Sequence, residues 1–387
     1  MRGLIESLKY TTSLNLYGVF NLNLEYFFRK KVEEIRQTVS KLKNPAVFDL
    51  KYVPNSIYIR KELEAVVEKI AQYNVMNVPS HIIIFGSRGS GKTVSILYLL
   101  KVLQREGGLK TFYVKARENP SSYRIYMKMA GVEKIGHSPN ELMQKALETY
   151  GERSVIVIDD ADFMEDFNIL YTFTRSSNAS IILLTQNIQL INRIDESTYS
   201  SMLPSKIYFA DYNPDEIYQI MRMRAEEGLH NWDDKALKLA SAIIVRDYRS
   251  DTRIAILSLL KLAILGKWDE ETVKKAIEEA SREVESITLR ELKDRDLIAL
   301  YIVSKTKETS KAYPIFTAYT SRYEGRFLTK PTFFRTLNYL QNLGLITQIK
   351  KRVGKSFTIE VETLIDQKMI EKEIEERFGG TLKWKQT

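Results

Sequence analysis

The sequence predicts an α/β fold built on a parallel sheet, followed by an all-helical segment and a small unit of three helices and a hairpin. Three observations carry this. Short apolar runs alternate with helix-patterned stretches as far as residue 211, strand signals then cease at Asn213-Pro214, and residues 285–387 run helix, helix, helix, hairpin.

The organising stretch is HIIIFGSRGSGKT, His81 to Thr93. Ile82, Ile83, Ile84 and Phe85 carry a strand bias and lead into Gly86-Ser87-Arg88-Gly89-Ser90-Gly91-Lys92-Thr93. An apolar, helix-patterned run over 94–104 follows. Glycines let the backbone turn sharply and approach phosphates, so that successive N–H groups and the positive end of the next helix face negative oxygens. Gly86 through Thr93 are therefore expected to cradle ATP or ADP. Lys92 would reach the β- and γ-phosphates, and the Thr93 hydroxyl would ligate Mg²⁺.

At 387 residues the chain is long enough for more than one hydrophobic core. It has no cysteine, which excludes disulfides, thiol catalysis and cysteine-ligated zinc. His81, His137 and His230 lie far apart, so no His-rich metal site is expected. No apolar run approaches the roughly 18 residues of a membrane span, and no tripartite leader opens the chain. A cytoplasmic protein without a membrane partner is the expectation. The net charge of +9 suits an acidic partner such as nucleic acid.

Residues 1–45 read as a helical leader without an assigned role, with Phe27, Phe28, Val32 and Ile35 at helical spacing around Arg29, Lys30 and Lys31. Asn44-Pro45 ends it. The turn Tyr52-Val53-Pro54-Asn55 stands just ahead of the sheet, where Tyr52 and Pro54 are candidates for the adenine pocket; Tyr52 fits equally as a core aromatic. A helix over 60–73 follows. Beyond the phosphate loop come a strand over 111–114 and two or three helices over 118–150. The strand over 154–158 then ends in Asp159-Asp160-Ala161-Asp162. A buried parallel strand delivers such acids to the edge where Mg²⁺-nucleotide sits in an open α/β sheet. Asp159 is assigned to Mg²⁺ through water, and Asp160 to positioning the attacking water. Asn187, with Thr185 in reserve, follows the strand over 180–184 and can reach the γ-phosphate. A fourth strand covers 206–209. Further on, Ser250 is the expected N-cap of a helix over 254–265, and Arg253 in its first turn can aim a guanidinium at the γ-phosphate.

The last unit is expected to hold helices over 289–304, 311–324 and 329–343. A hairpin of strands 345–351 and 356–361 completes a winged helix. Lys330, Thr332, Arg335 and Asn338 share the exposed face of the third helix, which suits base edges and phosphates in a major groove. Lys350, Lys351, Arg352 and Lys355 sit on the wing, suited to phosphates or the minor groove. Docking of a protein partner is the alternative use of such a module.

These pieces stand in the order of one family. The chain resembles the archaeal initiators of the origin recognition complex and cell-division-control type, AAA+ ATPases with a C-terminal winged helix. The resemblance covers residues 46–387. Its most specific parts are Tyr52-x-Pro54 with Arg60-x-Glu62, Tyr212-x-x-x-Glu216 with Arg222, and Ser250-Asp251-Thr252-Arg253, similar to that family's Gly-Asp-Ala-Arg second sensor. It implies an AAA+ domain over 46–211, a helical lid over 212–284 and a winged-helix DNA-binding domain over 285–387. The implied cofactors are ATP or ADP with Mg²⁺. The implied partners are double-stranded replication-origin DNA, other initiator subunits and the replicative helicase. The segment 121–150 is similar to the initiator-specific insertion, which helps contact DNA. Two departures stand out: Asp160 replaces the family's glutamate, and Tyr199 precedes Ser200-Ser201 where many relatives have a basic residue. Arg193 is then a poor substitute for an arginine finger. Such a finger is worth about 10³ to 10⁵ in rate, so slow or absent hydrolysis, and a nucleotide-gated switch, is expected. The competing reading is an AAA+-like transcriptional, plasmid or mobile-element regulator with a helix-turn-helix tail.

Overall fold

The computed structural model describes residues 24–133, 136–325, 327–353 and 356–379. The chain divides into two compact units, residues 1–280 and 281–387. In the first, α1 (Leu24–Val39) and α2 (Lys61–Met76) precede a five-stranded parallel sheet. Its elements in chain order are β1 (Ile82–Gly86), α3 (Lys92–Glu106), β2 (Lys110–Lys115), α4 (Ser122–Met129), α5 (Pro139–Tyr150), β3 (Glu152–Asp159), α6 (Asn168–Ser176), β4 (Asn178–Thr185), α7 (Glu196–Met202) and β5 (Ser205–Phe209).

The strands lie in the order β2-β3-β4-β1-β5. Alternate residues of each strand point to opposite faces. Ile83, Ile156, Ile158, Ile181 and Leu183 accordingly pack with residues of α4 to α7. On the other face, Ile82, Ile84, Val155, Val157, Ile182 and Leu184 pack with residues of α2 and α3. Helices on both faces bury both sets, which is why these strands read as unbroken apolar runs. β1 lies between β4 and the edge strand β5, so the phosphate loop stands at the sheet's carboxyl edge beside the end of the central strand β4.

The helices α8 (Pro214–Gly228), α9 (Asp234–Tyr248) and α10 (Thr252–Leu265) follow the sheet, and α8 opens with a capping box between Asn213 and Glu216. The expected boundary at 45/46 falls inside a segment fastened to these helices. Lys41 and Lys43 donate to the carbonyls of Ile264 (2.9 Å) and Glu226 (3.1 Å) near helix carboxyl ends, where a cation is favoured. The short turn Pro45–Phe48 buries Val47 and Phe48. A Cβ on Gly228 would lie 2.7 Å from the Phe48 ring, so this glycine permits the close approach. Within the leader, α1 lies among the described residues; residues 1–23 lie outside them.

The second unit contains α12 (Asp294–Thr306), α13 (Thr309–Glu324), α14 (Lys330–Asn342), the antiparallel pair β6 (Ile346–Val353) and β7 (Ser356–Thr363), and α15 (Gln367–Phe378). This is a winged helix with one core, in which the Phe316 and Phe333 rings stand 5.0 Å apart. The expected helix 289–304 is corrected. Leu289 belongs to α11 (Glu270–Glu291), and a new helix starts at Asp294. α15 was not anticipated: its sequence is mostly charged, with Ile370 and Ile374 buried in the core.

Candidate nucleotide-binding site

The loop between β1 and α3 is tightly wrapped. Gly89 and Gly91 both have φ of +81°, a region that favours glycine. A Cβ on Gly89 would stand 2.5 Å from Asp251 Oδ1, and one on Gly91 would collide with the Tyr212 hydroxyl. Thr252 Oγ1 donates to Gly89 O at 2.8 Å, so the start of α10 rests directly on the phosphate loop. Arg60, 4% exposed, joins loop, sheet and helices. Its guanidinium donates to Ser90 O (3.2 Å), Ala210 O (2.8 Å) and Glu62, and stacks 4.4 Å from the Tyr212 ring.

Lys92 is buried at 8% exposure, and its Nζ donates to Gly86 O (2.9 Å) and Ser87 O (2.7 Å). Burial pushes its ammonium down to about 8, opposed by Asp159, Asp162, Asp160 and Asp211. A cation is thus held inside the cradle. Beside it, Thr93 Oγ1 donates to Asp159 Oδ2 at 2.9 Å, and the Tyr113 hydroxyl donates to the same oxygen at 2.7 Å. Asp160 N–H donates to Asp159 Oδ1 at 2.8 Å. Hydroxyl and carboxylate oxygens are the donors that fit Mg²⁺, which fills its remaining positions with water and nucleotide phosphates. Among the described residues no group of three or more His, Cys, Asp or Glu forms a metal site unaided. The donor set suits a metal arriving with its nucleotide.

Asp160 has φ of +52°, and its carboxylate stands 3.7 Å from Arg117 Nε. Burial and then Asp159 push its pKa up, while Arg117 pulls it down. The Arg117 guanidinium also lies 4.4 Å from the Phe163 ring. At the end of β4, Thr185 Oγ1 donates to Asp162 Oδ1 at 2.6 Å, and Asn187 Oδ1 accepts from Gln189 N–H at 2.8 Å, capping a short turn. Arg193 donates to the carbonyls of Asp162 and Met164.

The structure corrects the expected cap of α10. Asp251 is the N-cap, accepting from Arg253 N–H at 2.9 Å, because the helix begins at Thr252. Ser250, at φ of +56°, instead donates its hydroxyl to Tyr212 O. The Asp251 carboxylate also grips Arg253, with Nε to Oδ1 at 2.9 Å. Tyr52 donates to the carboxylate of Glu227 and lies 5.6 Å from the Arg224 guanidinium, and Asn55 Nδ2 donates to Glu227 at 2.7 Å. The turn holding Tyr52 and buried Pro54 is thus fastened to α8.

In the winged helix, Lys330, Arg335 and Asn338 are exposed on α14, and Thr332 is half-buried. Gln348 Nε2 of β6 donates to Asn338 Oδ1 at 2.9 Å. Lys350, Lys351 and Arg352 are exposed on the wing, and Lys351 pairs with Glu360 at 2.7 Å. Lys355 lies outside the described residues. In the first unit, α4 exposes Arg124 and Lys128. Among the described residues no helix is long and apolar enough to cross a membrane.

A family model described as an AAA domain matches residues 76–194, from the end of α2 to the turn after β4. The ORC1-type DNA replication protein 1 of Sulfurisphaera tokodaii is 26% identical, covering 90% of this chain and 97% of its own. The chain is a relative of the archaeal ORC1-type DNA replication proteins. The Archaeoglobus fulgidus protein of the same name is 23% identical over 91% of this chain and 97% of its own. The Aeropyrum pernix ORC1 protein, solved in complex with DNA, shares the fold with a TM-score of 0.66 at 23% identity, covering 87% of this chain and 97% of that one.

The AAA match spans the loop from Gly86 to Thr93 and the acids that end β3. The structure gathers Lys92, Thr93, Asp159 and Asp160 there, with Arg253 held beside the loop by Asp251. Two neighbours of the acids, Tyr113 and Arg117, escaped the sequence reading. Tyr113 sits in a short apolar strand, and only the pairing of β2 with β3 brings it beside Asp159. No local spacing signals that.

Proposed function

We propose that the protein is a nucleotide-gated initiator of DNA replication that binds double-stranded origin DNA. The observation that carries this reading is similarity to ORC1-type DNA replication proteins over 90% of this chain and 97% of the relative, with the Aeropyrum pernix fold neighbour solved on DNA. That similarity favours the initiator over a transcriptional or mobile-element regulator. The working division is an AAA+ domain over 46–211, a lid over 212–284 and a winged helix over 285–387, in a cytoplasmic protein.

ATP or ADP would lie on the loop from Gly86 to Thr93, with Lys92 at the β- and γ-phosphates and the Tyr52–Pro54 turn at the base. Thr93 would hold Mg²⁺ directly and Asp159 through water; the ion supplies neutralisation of phosphate charge. Asp160 is the group for orienting an attacking water, Asn187 or Thr185 for contacting it or the γ-phosphate. Arg253 would exchange Asp251 for the γ-phosphate. An aspartate is one methylene shorter than the family's glutamate, and here Arg117 stands beside it. Arg193 is engaged with carbonyls of its own domain. Both features favour slow or absent hydrolysis, leaving nucleotide state as a switch. Lys330, Thr332, Arg335 and Asn338 would enter a major groove, Lys350, Lys351, Arg352 and Lys355 would hold the flanking backbone, and Arg124 and Lys128 offer a second contact from α4. Other initiator subunits and the replicative helicase are the protein partners of this reading.

The test is retention of labelled genomic fragments by purified protein with ATP, with ADP and without nucleotide, alongside Lys92→Ala. Selective retention of origin fragments, altered by nucleotide and by Lys92→Ala, is expected. Uniform weak retention, or preference for promoter fragments, would overturn the reading.

A further inference from the structure

We infer that Tyr113 is a positioning residue for the Mg²⁺-bearing nucleotide, acting through Asp159. This rests on the Mg²⁺ assignment made above and extends it to a residue outside the phosphate loop and its acids.

The geometry is specific. Asp159 Oδ2 receives two hydroxyl donors, Thr93 Oγ1 at 2.9 Å and Tyr113 Oη at 2.7 Å, while Oδ1 receives Asp160 N–H at 2.8 Å. The carboxylate, 5% exposed, is held by three donors from three elements: α3, β2 and the turn after β3. A threonine hydroxyl has one proton and two lone pairs. By accepting the Thr93 proton, Asp159 leaves the lone pairs of that hydroxyl available to a metal. The orientation of Asp159 therefore sets the orientation of Thr93, and the phenol fixes Asp159 from the β2 side. Outer hydrogen bonds of this kind typically contribute about 10- to 100-fold to metal affinity.

The experiment measures binding of fluorescently labelled ATP to the full chain, in EDTA and across a Mg²⁺ titration. Wild type, Tyr113→Phe, Asp159→Asn and the double variant are compared. Tyr113→Phe should match wild type in EDTA and require about 10-fold or more Mg²⁺ for half-maximal enhancement. In the Asp159→Asn background the same change should add no further shift. An unshifted Mg²⁺ midpoint would overturn the inference. So would an equal loss of affinity in EDTA, which marks a packing role, or a full extra shift in the double variant. A wild-type protein indifferent to Mg²⁺ would instead remove the Mg²⁺ reading on which the inference stands.

Discussion

Replacing Gly89 by alanine tests whether the phosphate loop and the start of α10 act as one body. At φ of +81° an alanine side chain costs about 1 to 2 kcal/mol of backbone strain. Its Cβ would also stand 2.5 Å from Asp251 Oδ1 and 3.0 Å from Asp251 Cα, so the turn itself must retreat. Retreat breaks the 2.8 Å bond from Thr252 Oγ1 to Gly89 O, worth about 0.5 to 1.5 kcal/mol. The total is about 1.5 to 3.5 kcal/mol. Gly266→Ala is the matched control. It has φ of +68° and nothing within 4 Å of its Cβ, so only the strain applies. Urea unfolding and nucleotide titration should separate the two. Gly89→Ala should be the less stable by about 1 kcal/mol, and its nucleotide affinity should fall about tenfold for each 1.4 kcal/mol carried into the bound state. Gly266→Ala should bind as wild type does. Equal behaviour of the two variants in both assays would refute the coupling.

Burial holds His81 down to about 4, against 6.5 when exposed, and its Nδ1 accepts from Ile181 N–H at 3.2 Å. A depressed folded value means stability that is present above pH 6.5 and lost as pH falls through 4. By pH 5 the loss is about 2 kcal/mol at 1.36 kcal/mol per unit. His81→Asn keeps an acceptor without a titrating proton, and urea midpoints at pH 7 and pH 5 should therefore fall less in the variant; parallel falls would contradict the linkage. On the DNA side, Lys350→Ala should weaken binding to all duplexes and lower the slope of log K against log salt by about one. Arg335→Ala should also relax sequence preference. Anisotropy titrations that leave both variants unchanged would move the DNA face elsewhere.

The phosphate loop was legible because its chemistry is contiguous: strand, glycines, Lys92 and Thr93 follow one another, and the same backbone that turns also binds. The strands around Ile156 and Ile182 were legible because burial on both faces leaves an unbroken apolar run. The exposed face of α14 was likewise legible: Lys330, Arg335 and Asn338 are exposed, opposite the buried Phe333, Leu337 and Leu340 that the structure shows. What tertiary structure decided were partnerships between residues far apart in sequence. Asp251 rather than Ser250 caps α10, because Ser250 is drawn to Tyr212 across the unit. Tyr113 reaches Asp159 only through strand pairing, and Glu227 takes Tyr52 only because the stretch before the sheet folds back on α8. α15 is recruited by a core that its own charged sequence hardly announces. Local spacing reports periodicity and chain turns; it carries no record of which distant donor a buried carboxylate will meet, and those meetings shape this site.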